Sequence, residues 1–201
     1  MVKTALMLIA IFMTSFCCAL EKLSDKYLIS YGDPQATVKI TQFFSFMCPH
    51  CAALFKREFQ EMKAQYLDTN KISFTFHPVP MDLLTVSAMD CLEKLNEMEK
   101  KAFLEVILEE IEAEDPIISM ALMKKAMEVF KKPIPHLEEQ EYLQETNTFQ
   151  DAFNFLKQEE QISAIPTIEV NGKLYPSDVP NLQFIGSILK ENPTREVHNA
   201  L

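Results

Sequence analysis

Two cysteines three residues apart, Cys48 and Cys51, with Pro49 and His50 between them, are the side chains of this sequence best suited to chemistry. A pair at this spacing can be a structural disulfide, half of a metal clip or a redox couple. A bridge over so short a loop adds little stability, because it removes few states from the unfolded chain. A tetrahedral metal site usually needs a second ligand pair, so Cys48, Cys51 and His50 would have to recruit His77 or His136. The redox reading leads, and its force depends on where the two sulfurs sit.

Their position follows from a change of period at Cys48. Ala36 to Phe46 (ATVKITQFFSF) is rich in β-branched and aromatic residues and predicts a strand after the turn signal Gly32-Asp33-Pro34. Beyond it Cys51, Phe55, Phe59, Met62 and Tyr66 recur at helical spacing, with Lys56, Arg57, Glu61 and Lys63 on the other face. Cys48 therefore falls at a helix N-terminus, where unpaired backbone N–H groups and the positive end of the dipole favour a thiolate. Pro49 is tolerated in a first turn, and His50, as donor or cation, adds to the stabilisation. Cys51 heads the apolar stripe and is expected to be the more buried thiol. This asymmetry makes Cys48 the sulfur that enters mixed disulfides and Cys51 the one that resolves them. A stabilised thiolate stabilises the reduced pair, so the disulfide is expected to be donated rather than kept.

The elements that must hold this junction read as follows. Lys71 to Val79 predicts a second strand, closed by Pro78 and Pro80, which completes a right-handed parallel βαβ unit. Some eighty helical residues follow. One stripe runs through Leu84, Ala88, Cys91, Leu95 and Met98, and another through Phe103, Ile107 and Ile111. A third helix opens at an Asp115 cap and Pro116, carries Met123, Met127 and Phe130, and ends at Pro133 and Pro135. A fourth places Tyr142, Thr146, Phe149, Phe153 and Leu156 on one side. Thr167 to Val170 and Lys173 to Tyr175 form a hairpin about Asn171-Gly172, and a last helix runs through Leu182, Ile185, Ile188 and Leu189. The expected fold class is α/β: a thioredoxin-type fold, residues 20–80 and 162–201, interrupted by an all-helical insertion at 81–161. In such a layout Ile165, Pro166 and Thr167 stand opposite the cysteines. A cis proline there leaves the backbone before it free to pair with an extended peptide.

Residues 1–19 combine Lys3, an apolar run from Ala5 to Met13 and a small-residue site after Ala19, the layout of a secretory signal peptide. The run falls short of the roughly 20 apolar residues of a membrane span. Cys17 and Cys18 suggest a lipoprotein signal, but Phe16 and Ser15 fit it badly. Export into an oxidising compartment leaves Cys48, Cys51 and Cys91 in the mature chain. The formal net charge of −10 disfavours nucleic acid as a partner. Cys91, on an apolar stripe, is expected to be a small buried hydrophobe, and Met120, Met123 and Met127 core filling. Glu109, Glu110, Glu112, Glu114 and Asp115 read as a solvated face. His77, His136 and His198 show no partner in the sequence.

FFSFMCPHC at residues 43–51, Ile165-Pro166-Thr167, VNGKL at 170–174, the helical insertion and the leader together resemble a DsbA-type thiol:disulfide oxidoreductase over nearly the whole mature chain. The resemblance implies a periplasmic enzyme that oxidises unfolded or partly folded exported proteins. It also implies reoxidation by a membrane partner of the DsbB type linked to quinone, with no cofactor beyond the Cys48–Cys51 disulfide and no metal. One position departs: six residues before the first cysteine the family commonly holds a buried acid that takes the proton of the second cysteine, and this chain has Gln42. An amide cannot act as a base, so slower deprotonation of Cys51 is expected, compensated by water or His50. The rivals are an isomerase or reductase of the same fold, or a periplasmic chaperone or metal-binding protein. The short span between leader and first strand argues for a monomer rather than a dimeric isomerase.

Overall fold

A computed structural model of the chain describes residues 22–110, 116–134, 145–159, 161–175 and 182–191. The leader with Cys17 and Cys18, Ile111, the Asp115 cap, Pro135, His136, Tyr142 and His198 lie outside these.

Five strands form one sheet in the order β1-β3-β2-β4-β5. At its centre β2 (Val38–Phe44) and β3 (Ile72–Pro78) run parallel, Val38 opposite Ile72 and Phe44 opposite Pro78. On the other side of β2 lies antiparallel β4 (Thr167–Val170), with Phe43 opposite Thr167, and β5 (Lys173–Tyr175) closes the hairpin. The strand β1 (Ile29–Gly32), antiparallel to β3, is an addition to the sequence reading, which saw only the turn that follows it. Four residues offer just Ile29 and Tyr31 as an alternating pair, too short a pattern to read. Gly32 ends it with φ +77°, and a Cβ there would run into the carbonyl oxygen of Ile72.

Helix α1 occupies residues 49–67. It begins as Pro49–Leu54 and widens into π-type turns at Phe55–Phe59 and Lys63–Leu67. Its apolar side packs on the sheet, where Phe55 and Phe59 stack at 4.6 Å against Phe44, Phe74 and Phe76 in one buried cluster. The helical segment begins with α2 (Leu83–Leu92), α3 (Glu97–Glu110) and α4 (Pro116–Val129). The stripe from Leu84 to Met98 is not continuous: Asn96 caps α3, its side chain accepting the N–H of Met98 and Glu99 while Glu99 accepts the N–H of Asn96. That restart turns Met98 outward, 80% exposed.

Helix α5 (Asn147–Gln158) is capped by Thr146, whose hydroxyl accepts the N–H of Phe149. It buries Thr148, Ala152 and Phe155; of the expected stripe Phe149 packs partly buried against this cluster, whereas Phe153 and Leu156 are exposed. Helix α6 (Leu182–Glu191) buries Ile185 and Ile188. Among the described residues no helix is long and apolar enough to cross a membrane.

On the sheet face opposite α1, the rings of Phe43, His77 and Phe155 meet at a tilt, with centroids 4.8 and 5.2 Å apart. The partners of His77 are backbone groups, which no sequence pattern announces. Nε2 accepts the N–H of Leu23 at 3.0 Å, so Nδ1 carries the proton and donates to the Pro78 carbonyl at 3.0 Å. Burial pushes the imidazole from 6.5 down to about 4. The neutral ring therefore contributes stability that is complete above pH 6.5 and lost as pH falls toward 4, about 3 kcal/mol in all. His77→Gln, which keeps an acceptor for Leu23, is expected to flatten the acid limb of stability between these limits, as measured by urea denaturation at pH 7 and pH 4.5. An acid limb as steep as the parent's would remove His77 as its cause.

Candidate active site

Strand β2 hands the chain to α1 through a turn that is fastened from the side. Ser45 Oγ donates to Asp82 Oδ2 at 2.7 Å and accepts the N–H of Met47 at 2.9 Å. Thr85 Oγ1 donates to the same carboxylate oxygen at 2.9 Å and accepts the N–H of Phe46 at 3.2 Å. The other oxygen of Asp82 caps α2 through the N–H of Thr85 at 2.7 Å. The first turn of α2 is thereby fixed to the loop that delivers Cys48. None of these three residues stands out in the sequence by chemistry; the legible cue is an aspartate followed three positions later by threonine at the head of an apolar run.

Cys48 is the N-cap of α1, with φ −85° and ψ 110°, and its sulfur accepts the N–H of Cys51 at 3.2 Å. A thiolate in that place is a charged cap, favoured over a neutral thiol by each N–H aimed at it. Cys48 is half-buried, whereas Cys51 is wholly buried in the core and Pro49 and His50 are exposed. The Cys48 thiol is pushed down from 9.0 to about 7, first by a hydrogen bond from the Cys51 thiol. Burial works against this, and the N–H groups of Cys51 and His50 and the His50 charge work with it. The same hydrogen bond, then burial and the neighbouring Cys48 charge, push Cys51 far up. The expectation named the helix terminus and His50; the leading contribution comes from the second thiol, which spacing alone does not show.

The register that sets Phe43 opposite Thr167 brings Pro166 to the end of β2. The Ile165–Pro166 bond is cis, and the Cys48 sulfur lies 4.0 Å from the Ile165 carbonyl oxygen. Thr167 Oγ1 donates to the Ala164 carbonyl at 2.6 Å, holding the loop in shape. Cys48, Cys51, His50, Pro49, Ile165, Pro166 and Thr167 thus belong to one locality, formed by the N-terminus of α1 and the start of β4. Gln42 lies deeper, 3% exposed, on the strand between Phe76 and Ile168.

Both nitrogens of His77 are engaged, so it is not free to complete a metal clip with the cysteines. Among the described residues no three His, Cys, Asp or Glu side chains are grouped to hold a metal. Cys91 is buried on α2, its thiol pushed up to about 12 by that burial.

The profile of the family described as Thioredoxin matches residues 24–188. A protein of Rickettsia prowazekii provisionally named a protein-disulfide oxidoreductase is 38% identical over 53 residues, 26% of this chain and 19% of that protein. The match thus spans about a fifth of the relative's length. Among solved structures, oxidised BdbD from Bacillus subtilis is similar with a TM-score of 0.67 and 18% identity, covering 86% of this chain and 97% of that one. Wolbachia pipientis α-DsbA1 follows at 0.59 and 16%, covering 82% and 89%. These likenesses fix the fold: a thioredoxin fold carrying a helical segment between β3 and β4.

Proposed function

The chain belongs to the thioredoxin family, and from that premise we propose that it is an exported thiol:disulfide oxidoreductase donating the Cys48–Cys51 disulfide to protein thiols. The observation that supports this most is the unequal pair of sulfurs: the half-exposed one held as an anion, the buried one held as a thiol. A substrate thiolate attacks Cys48, the Cys48–Cys51 bond breaks, and its electron pair leaves on Cys51, which takes a proton. A second substrate thiolate then attacks the substrate sulfur of the mixed disulfide. The substrate disulfide forms and the Cys48 thiolate leaves, a good leaving group because its charge is stabilised.

The carbonyl of Ile165, beside the Cys48 sulfur, offers an extended client a backbone partner next to the reacting atoms. In this reading the clients are unfolded or partly folded exported proteins, the reoxidant is a membrane partner of the DsbB type, and the chain acts as a monomer. Export rests on the leader pattern of residues 1–19.

The test is a redox titration against glutathione, read beside the pH dependence of Cys48 alkylation. Alkylation is expected to reach half its limiting rate near pH 7, and the pair to be half-reduced at a potential well above the glutathione pool, roughly −240 mV. A potential at or below that value would make the chain a reductant. A midpoint near 9 would remove the basis for donation.

A further inference from the structure

Beneath α1 lies a cavity of about 20 Å³, lined by Gln42 from β2, Leu54, Phe55 and Glu58 from α1, Phe76 from β3 and Ile185 from α6, among others. Two polar atoms here, Gln42 Nε2 and Glu58 Oε2, are buried and have no hydrogen-bond partner among the described residues. Orphaned buried groups are uncommon and costly, and a carboxylate oxygen is among the costliest. The other oxygen of Glu58 is accounted for: Oε1 accepts from Arg57 through Nε at 2.9 Å and Nη2 at 2.8 Å, on the outer side of the helix. Arg57 fixes the carboxylate with one oxygen outward and leaves the other to the cavity.

We propose that Glu58 is the proton acceptor for Cys51 when the pair is reoxidised, reached through water in this cavity, with Gln42 orienting that water; the proposal deepens the donor reading above and rests on it. Cys51 must become a thiolate before it can attack, and it is buried away from solvent. His50 is exposed in the first turn of α1, and the amide of Gln42 accepts no proton. From Cys51 to Glu58 the helix rises about 10 Å, too far for direct transfer. Helical side chains lean back toward the N-terminus, so the Glu58 carboxylate covers the turn of Leu54 and Phe55, one turn from Cys51. The volume suits about one water, which would accept from Gln42 Nε2 and donate to Glu58 Oε2, satisfying both orphans.

Cys48 is joined in a mixed disulfide to the sulfur of an oxidant, RS. The Cys51 proton passes through water to Glu58, and the Cys51 thiolate attacks Cys48 Sγ. The Cys48–SR bond breaks and its electron pair leaves on RS⁻, so the cysteine pair is oxidised and the oxidant reduced. In client oxidation the transfer reverses, and Glu58 returns the proton to the leaving Cys51.

The experiment follows the reduced protein as it reacts with glutathione disulfide, timing the closure of the internal disulfide after Cys48 is glutathionylated. Glu58→Gln is expected to slow closure roughly tenfold or more and to move its pH profile upward, leaving Cys48 alkylation and the urea midpoint unchanged. Gln42→Glu added to Glu58→Gln is expected to restore the rate, since a carboxylate then enters the same cavity from β2. Glu58→Asp, which keeps the charge but withdraws it by one methylene, is expected to slow closure less than Glu58→Gln. Closure at the parent rate and pH profile in both single variants, or no recovery in the double variant, would overturn the assignment. Failure of the donor reading would appear elsewhere, in the parent's alkylation midpoint and glutathione equilibrium.

Discussion

Cys51→Ala is expected to raise the alkylation midpoint of Cys48 from about 7 and to stop turnover at mixed disulfides. Both effects have one origin. The hydrogen bond from the Cys51 thiol is the largest contribution holding Cys48 as an anion, and alanine removes it. The N–H groups of Cys51 and His50 remain, because they belong to the backbone, so the midpoint should stop short of the usual 9.0. A thiol whose folded value is depressed stabilises the reduced protein fully above pH 9 and loses that contribution as pH falls through about 7. In Cys51→Ala the contribution should be smaller and its loss complete at a higher pH, visible in denaturation of the reduced protein across that range.

Chemically, the variant cannot form the internal disulfide that a client thiolate attacks; given glutathione disulfide it should stop at the Cys48–glutathione mixed disulfide, which no internal thiol can close, and this conjugate should accumulate. Cys48→Ser, by contrast, should form none and transfer at background rate, since Cys51 and Cys91 are both buried. A binding protein with an idle cysteine pair would hold its clients equally in all three forms. A midpoint in Cys51→Ala still near 7 would mean that the helix terminus alone holds the thiolate.

The strand-to-helix junction at Cys48 was readable because two periods meet at one residue: the apolar alternation of β2 ends where the helical spacing of Cys51, Phe55, Phe59 and Met62 begins. The hairpin was readable because Asn171-Gly172 is a local signal, and Asn171 indeed takes a positive φ of 48°. What escaped the sequence depends on partners distant along the chain. Phe153 and Leu156 are apolar at helical spacing, yet α5 offers the sheet its Thr148, Ala152 and Phe155 side, where Phe155 meets His77. Spacing defines a stripe but not which stripe finds a neighbour.

Glu58 escaped for a related reason. An acid in the charged run Lys56-Arg57-Glu58 reads as a surface residue, and only the packing of α1 over Gln42 and Phe76 turns one of its oxygens inward. The loss of the acid at position 42 was legible; its counterpart across the cavity was not.

Phe76→Ala is expected to produce the largest loss of stability, because this ring is where the sheet and α1 meet. Phe76 is 1% exposed and lies edge-on or tilted to five other rings: Phe74 at 4.9 Å, Phe59 at 5.3 Å, Phe44 at 5.7 Å, Phe55 at 5.9 Å and Tyr31 at 6.0 Å. Its backbone pairs with Ile29 on one side and Gln42 on the other, so the strand cannot slide to refill the space. Truncating such a phenylalanine costs about 3–5 kcal/mol, against a total of roughly 5–15 kcal/mol for a domain. Urea denaturation should show a lower midpoint with an unchanged slope, and Phe76→Leu should lose visibly less. A loss well under 1 kcal/mol would mean that the aromatic cluster collapses to fill the gap, against the close packing seen around it. The hydrogen bonds that depress Cys48 are made at the helix terminus, so the folded fraction of Phe76→Ala should still alkylate with a midpoint near 7. A midpoint that moved with the core would tie the thiolate to the depth of packing under α1 rather than to the hydrogen bonds at its end.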